Sequence, residues 1–80
     1  MNLAVRKNSP YPAILKVKVS KEKISSLMSD GREVSIPTAW FARLASASLK
    51  QLENFKISPG GYGIHWPDID EDISVKAFFD

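Results

Sequence analysis

The sequence predicts an α+β domain: a small antiparallel sheet of about five strands with two or three short helices. Three observations carry this. Residues 13–21, AILKVKVSK, alternate in the period of two that marks a half-buried strand. Asp30-Gly31 and Pro59-Gly60-Gly61 interrupt apolar runs with hairpin turn chemistry. Between those turns, residues 38–55 carry helix-start signals. The order is then β-β-β-α-α-β-β-α, which suits an antiparallel sheet with segregated helices.

Each element follows from local chemistry. Residues 1–12 hold Pro10 and Pro12, which remove backbone donors and disfavour helix before them, so an extended N-terminal arm is expected. A single domain is expected over residues 13–80. In the first strand Ala13, Leu15, Val17 and Val19 take one face and Ile14, Lys16, Lys18 and Ser20 the other, with the lysines outward. Ile24–Ser29 and Arg32–Ile36 form the arms of a hairpin, and Pro37 ends it. Thr38 is the expected N-cap of a helix over AWFARLASA, with Trp40, Phe41 and Leu44 as its core stripe. Ser48-Leu49-Lys50-Gln51 matches a capping box opening a second helix, with Leu49, Leu52 and Phe55 as its apolar stripe. Phe55–Ser58 and YGIHW read as strands around the PGG turn. DIDED then reads as the acidic start of a last helix, ISVKAFF, where carboxylates complement the helix dipole.

Composition bounds what such a chain can do. Eighty residues make one domain, and a chain this short buries only about 60% of its unfolded surface. There is no cysteine, so disulfides and thiolate metal sites are excluded, and a reducing cytoplasmic setting is expected. No apolar run is long enough for a membrane span or a signal-peptide core. Charge is uneven. Arg6, Lys7, Lys16, Lys18, Lys21 and Lys23 face only Glu22 in the first 23 residues, whereas Asp68, Asp70, Glu71, Asp72 and Asp80 face only Lys76 in the last 16. Such a chain can pair with itself, inside one molecule or between two.

The stretch SPGGYGIHWPDIDED, residues 58–72, concentrates the candidate chemistry. His65 points away from the side shared by Ile64 and Trp66, but no serine or cysteine nucleophile motif accompanies it. Asp68, Asp70, Glu71 and Asp72 lack the ligand spacing of a calcium loop, and Gly60, Gly61 and Gly63 lack that of a phosphate loop. No catalytic, cofactor-binding or metal residue is therefore assigned, and no cofactor is expected. Gly63 inside a strand marks a bulge or a close backbone approach.

Taken together, SDGREVSIP, TAWFARL and GGYGIHWPDIDEDISV resemble the domain of unknown function 2442 family, small bacterial and phage-type proteins, over residues 14–79. The resemblance implies a small α+β fold, free-standing or joined to a helix-turn-helix domain. It also implies a genetic neighbour from another uncharacterised family, domain of unknown function 4160, in pairs proposed as toxin–antitoxin modules with this family as the antitoxin-like member. It supplies no catalytic residue. With the chain ending at Asp80, no helix-turn-helix domain is expected here.

The expectation is thus a non-enzymatic protein-interaction module, antitoxin-like, contacting a small partner protein such as a cognate toxin through His65, Trp66, Asp68, Asp70, Glu71 and Asp72. A homodimer is compatible with the charge asymmetry. The alternative is a nucleic-acid-associated regulatory module using the arm and Lys16, Lys18, Lys21 and Lys23. A third reading, a metal-dependent enzyme, would use His65 and the aspartates.

Overall fold

The two predicted hairpins seed two separate sheets. The computed structural model describes residues 10–79, so most of the expected arm lies outside the described residues. Strands β1 (Ile14–Val19), β2 (Lys23–Met28) and β3 (Glu33–Pro37) form an antiparallel meander in the order β1-β2-β3. A 3-10 turn (Thr38–Trp40) and helices α1 (Ala42–Ala45) and α2 (Leu49–Glu53) follow. Strands β4 (Lys56–Ile57), β5 (Gly63–Trp66) and β6 (Glu71–Ser74) make a second antiparallel meander, and a 3-10 turn (Val75–Phe78) closes the chain. The α+β class holds, with six strands in two sheets instead of five in one.

The β2–β3 hairpin forms at Asp30-Gly31. The Gly31 amide donates to the Met28 carbonyl (2.9 Å), and Gly31 takes φ +95°, the left-handed residue of a turn with a bulge. The Asp30 carboxylate accepts from the Arg32 amide (3.2 Å) and from Arg32 Nε (2.8 Å). The amide bond, with the guanidinium beside it, holds the Asp30 carboxyl below its ordinary value.

Three expectations change. In β1 the register slips between Ile14, opposite Met28, and Lys16, opposite Leu27. The extra residue, Leu15, forms a bulge and reverses the phase of the alternation. Ile14 is therefore buried and Leu15 exposed, the opposite of the predicted faces, while Val17 and Val19 stay inward. Thr38 does not cap a helix. Its hydroxyl donates to the Ser20 carbonyl (2.9 Å) and its amide to that of Glu22 (3.1 Å), which pins the β1–β2 turn. Phe41 is then extended (φ −121°, ψ 109°), so the predicted nine-residue helix shrinks to α1. Phe41 and Leu44 still pack inward, but Trp40 is turned out and stands 62% exposed.

The last helix is the third change. Glu71–Ser74 pairs with β5 as a strand, because Ile73 and Val75 alternate inward with a period of two. The aspartates before it form the β5–β6 turn, where Asp70 takes φ +50°. The capping function falls to Ser74, whose Oγ accepts from the Lys76 amide (3.2 Å). The Ser48–Gln51 capping box forms in full, with Gln51 N–H donating to Ser48 Oγ (3.1 Å) and Ser48 N–H to Gln51 Oε1 (3.0 Å). Of the stripe it introduces, Leu52 is buried and Phe55 half-buried, but Leu49 faces solvent.

The two sheets and the helices share one core. Ile14, Ile24, Met28 and Ile36 come from the first sheet, Leu44, Ala47 and Leu52 from the helical segment, and Ile64, Trp66, Ile73, Val75 and Phe78 from the second sheet and its end. Gly61 joins the halves. It has φ +72°, and a Cβ there would lie 2.6 Å from Ile14 N and 2.7 Å from Ile14 O. Gly63 is the predicted close approach, since a Cβ would meet Ile73 O at 2.7 Å. One polar group is stranded inside: Ser26 Oγ, between Val17 and Val34 on the inner face, finds no hydrogen-bond partner among the described residues.

These contacts fix two expected outcomes, both measured by urea unfolding. Gly61→Ala should lower stability by more than about 1 kcal/mol, because it combines positive φ with a backbone collision. Ser26→Ala should leave stability unchanged or raise it, since it removes an unpaired buried hydroxyl.

Candidate functional site

The β4-β5-β6 register assigns each side chain of the candidate stretch to a face. Lys56 pairs with His65, and His65 with Asp72, giving a cross-strand row on the outer face. Ile57, Ile64 and Ile73 form the next row, on the inner face. His65 therefore points outward, as the strand period requires, with Ile64 and Trp66 buried behind it.

His65 Nδ1 lies 2.7 Å from Asp72 Oδ1, with the side chains 39% and 76% exposed. An ionised carboxylate only accepts, so Nδ1–H is the donor of this bond. The pair orients an imidazole at the surface. Its cross-strand neighbours, Lys56 and Asp72, include no hydroxyl or thiol to activate. Among the described residues no cluster of three or more His, Cys, Asp or Glu side chains is placed to hold a metal ion.

The β5–β6 turn is fastened from two helical positions. Arg43 of α1 donates through one guanidinium nitrogen to the Asp70 carbonyl (2.7 Å) and the Ile69 carbonyl (3.5 Å). Asn54, at the end of α2, donates its amide to Asp68 Oδ2 (3.0 Å). These bonds present the Asp68 and Asp70 carboxylates from a positioned turn, with Asp72 one strand residue beyond Glu71.

The six predicted contact residues thus divide. His65, Asp68, Asp70 and Asp72 reach the surface. Glu71 is half-buried opposite Trp66, on the other side of the strand from Asp72. Trp66 is fully buried, its indole N–H donating to the Leu52 carbonyl (2.9 Å) and its ring tilted against Phe55 at 6.2 Å. It belongs to the core and offers nothing to a partner. The exposed tryptophan is Trp40, which the helical stripe had placed inside. A threonine needed elsewhere as a hydrogen-bond donor was the missing signal.

The lysine ridge of the first strand pair divides as well. Lys16, Lys18 and Lys23 lie on the outer face of the first sheet, where Lys18 and Lys23 border a shallow depression of about 370 Å³ with Ser25, Ser35 and Glu33. A second depression of about 250 Å³ continues it beside Lys16 and Leu27. Lys21 leaves this face, its Nζ donating to the Ala47 carbonyl (2.9 Å).

These features define a two-sheet α+β domain with charged, solvent-facing outer sheet surfaces. The chain belongs to the family described as protein of unknown function (DUF2442), whose model matches residues 14–80. It is similar to the crystal structure of a protein of unknown function from Rhodospirillum rubrum, at 28% identity, with 82% of each chain covered and a TM-score of 0.71. The solution structure of an uncharacterized protein from Chromobacterium violaceum shares the fold at 22% identity and a TM-score of 0.70, covering 95% of this chain and 69% of that one. No curated protein matches the chain.

The two tryptophans give a direct check. Iodide should quench the emission of Trp40 and leave that of Trp66 protected, so the Trp40→Phe variant should show a single quench-resistant emission. The same substitution should change stability by no more than about 0.5 kcal/mol.

Proposed function

We propose that this protein is a non-enzymatic protein-interaction module, the antitoxin-like member of a two-protein pair acting in the cytoplasm. The observation that supports this best is the acidic surface of the second sheet. Asp68 and Asp70 project from a turn tied down by Arg43 and Asn54, and Asp72 stands outward beside His65. Fixed carboxylates lose little freedom on binding, and their field steers a basic partner to this edge. The family resemblance points to a small partner protein as the ligand.

No helix among the described residues is long and apolar enough to cross a membrane. The absence of cysteine is in keeping with a reducing compartment.

One observation favours a second reading, a nucleic-acid-associated regulatory module. The register gathers Lys16, Lys18 and Lys23 on one open face. In that case affinity for an oligonucleotide falls steeply with salt, by about 0.7 log units per log unit of salt for each single-strand phosphate contacted.

The test of the first reading is titration of the purified chain with a protein of domain of unknown function 4160, the partner family that the resemblance implies. Asp72→Lys combined with Asp70→Asn (asparagine tolerates the positive φ) should weaken binding at least tenfold, with an unchanged far-ultraviolet spectrum and unfolding midpoint. Unaltered affinity in a folded variant would remove this surface from the interface.

A further inference from the structure

The charge asymmetry of the sequence leaves two routes for its pairing, within the molecule or between molecules. Among the described residues the fold closes the first. Both sheets turn their inner faces to one core, so their outer faces point away from it and from each other. The Arg32–Asp30 ion pair and the His65–Asp72 hydrogen bond are local, and neither joins the basic strands to the acidic edge.

What remains is a pair of oppositely charged surfaces on one chain. The outer face of the first sheet holds Lys16, Lys18 and Lys23 against Glu33, all exposed. The three lysine side chains take no ion-pair partner among the described residues. Lys18 and Lys23 border the first depression, where Ser25 and Ser35 share a hydroxyl hydrogen bond of 2.7 Å, and Lys16 borders the second. The acidic edge holds Asp68, Asp70 and Asp72 against Lys56 and the Arg43 guanidinium, with Glu71 turned to the other side of its strand. The first surface therefore carries two positive charges in excess and the second one negative charge in excess.

We infer that the basic outer face of the first sheet receives the acidic β5–β6 edge of a second copy of this chain. A turn and strand edge bearing three carboxylates meet two adjoining shallow hollows bearing three ammonium groups, with serine hydroxyls as further donors. One feature favours a second copy over a single-stranded nucleic acid on this face. No aromatic side chain lies among the residues of the two depressions, so bases would have no stacking platform. The contact joins unlike surfaces, so it closes into a dimer where the two meet reciprocally and otherwise extends head to tail. This inference does not depend on the partner proposed above, but it uses the same acidic edge, so a basic partner would compete with it.

The experiment is sedimentation velocity of the full chain alone, from about 10 μM to 1 mM, in low and high salt. The expected result is a mass that rises with concentration at low salt and falls back to monomer as salt shortens the Debye length below about 10 Å. Lys16→Glu with Lys18→Glu and Lys23→Glu should shift the midpoint at least tenfold upward. Asp68→Lys with Asp72→Lys should do the same. Mixing the two variants should restore association, because the reversed face of one then complements the reversed edge of the other. A wild-type chain that stays monomeric throughout, or association that survives either reversal in a folded variant, overturns the inference. So does a monomer whose three lysines instead bind a single-stranded oligonucleotide. Partner titration with the lysine variant, whose acidic edge is intact, separates failure of this contact from failure of the proposed partner site.

Discussion

The indole of Trp66 sits where the whole fold converges. It enters from β5, is fully buried, and donates its N–H to the Leu52 carbonyl. That carbonyl belongs to the last turn of α2, where a helix leaves its final acceptors without intrahelical donors. One hydrogen bond thus satisfies the polar atom of a core tryptophan and an orphan carbonyl together. It also joins the second sheet to the helical segment that follows the first sheet. An 80-residue chain without disulfides has a narrow margin, and neither three-stranded sheet has an independent core in which to bury its inner face. The contact of Gly61 with Ile14 serves the same end at another point, bringing the β4–β5 turn onto the start of β1 with no room for a side chain.

Once the inner faces are committed to a single core, the charges have one place left. Lys16, Lys18 and Lys23 face outward from one sheet, and His65 and Asp72 from the other, because cross-strand partners share a face. The polarity of the molecule is therefore a consequence of its packing. It gives a family of unknown function two concrete surfaces to examine, one acidic and tied to the helices, one basic and open.

The sequence was most legible where residue chemistry acts over short range. Asp30-Gly31, the Ser48–Gln51 capping box, the PGG turn and the outward side of His65 each follow from a few neighbouring residues, and each is found. It was least legible where a distant group competes. Thr38 has the chemistry of a cap, but the Ser20 carbonyl, 18 residues away, takes its hydroxyl and shortens the helix. Trp40 is exposed as a result. Leu15 and Ile14 exchange faces because β1 needs one residue more than β2 opposite Met28, a register fact invisible within β1 alone. The acidic run misled in another way: helix capping and a strand-to-strand turn use the same residues, and only the inward alternation of Ile73 and Val75 separates them. Of the candidate site, the outward histidine and aspartates were legible, whereas the burial of Trp66 required knowing what its N–H would find.

The central claim is that two sheets and the helices between them fold as one unit around Trp66. Native-state amide hydrogen exchange under conditions of rapid reclosing tests it most directly. The hydrogen-bonded amides of β2 and β5 should exchange with the same opening free energy, equal to that of global unfolding, and should respond alike to urea. A second sheet that opens at markedly lower free energy than the first, with its own weaker urea dependence, would contradict it.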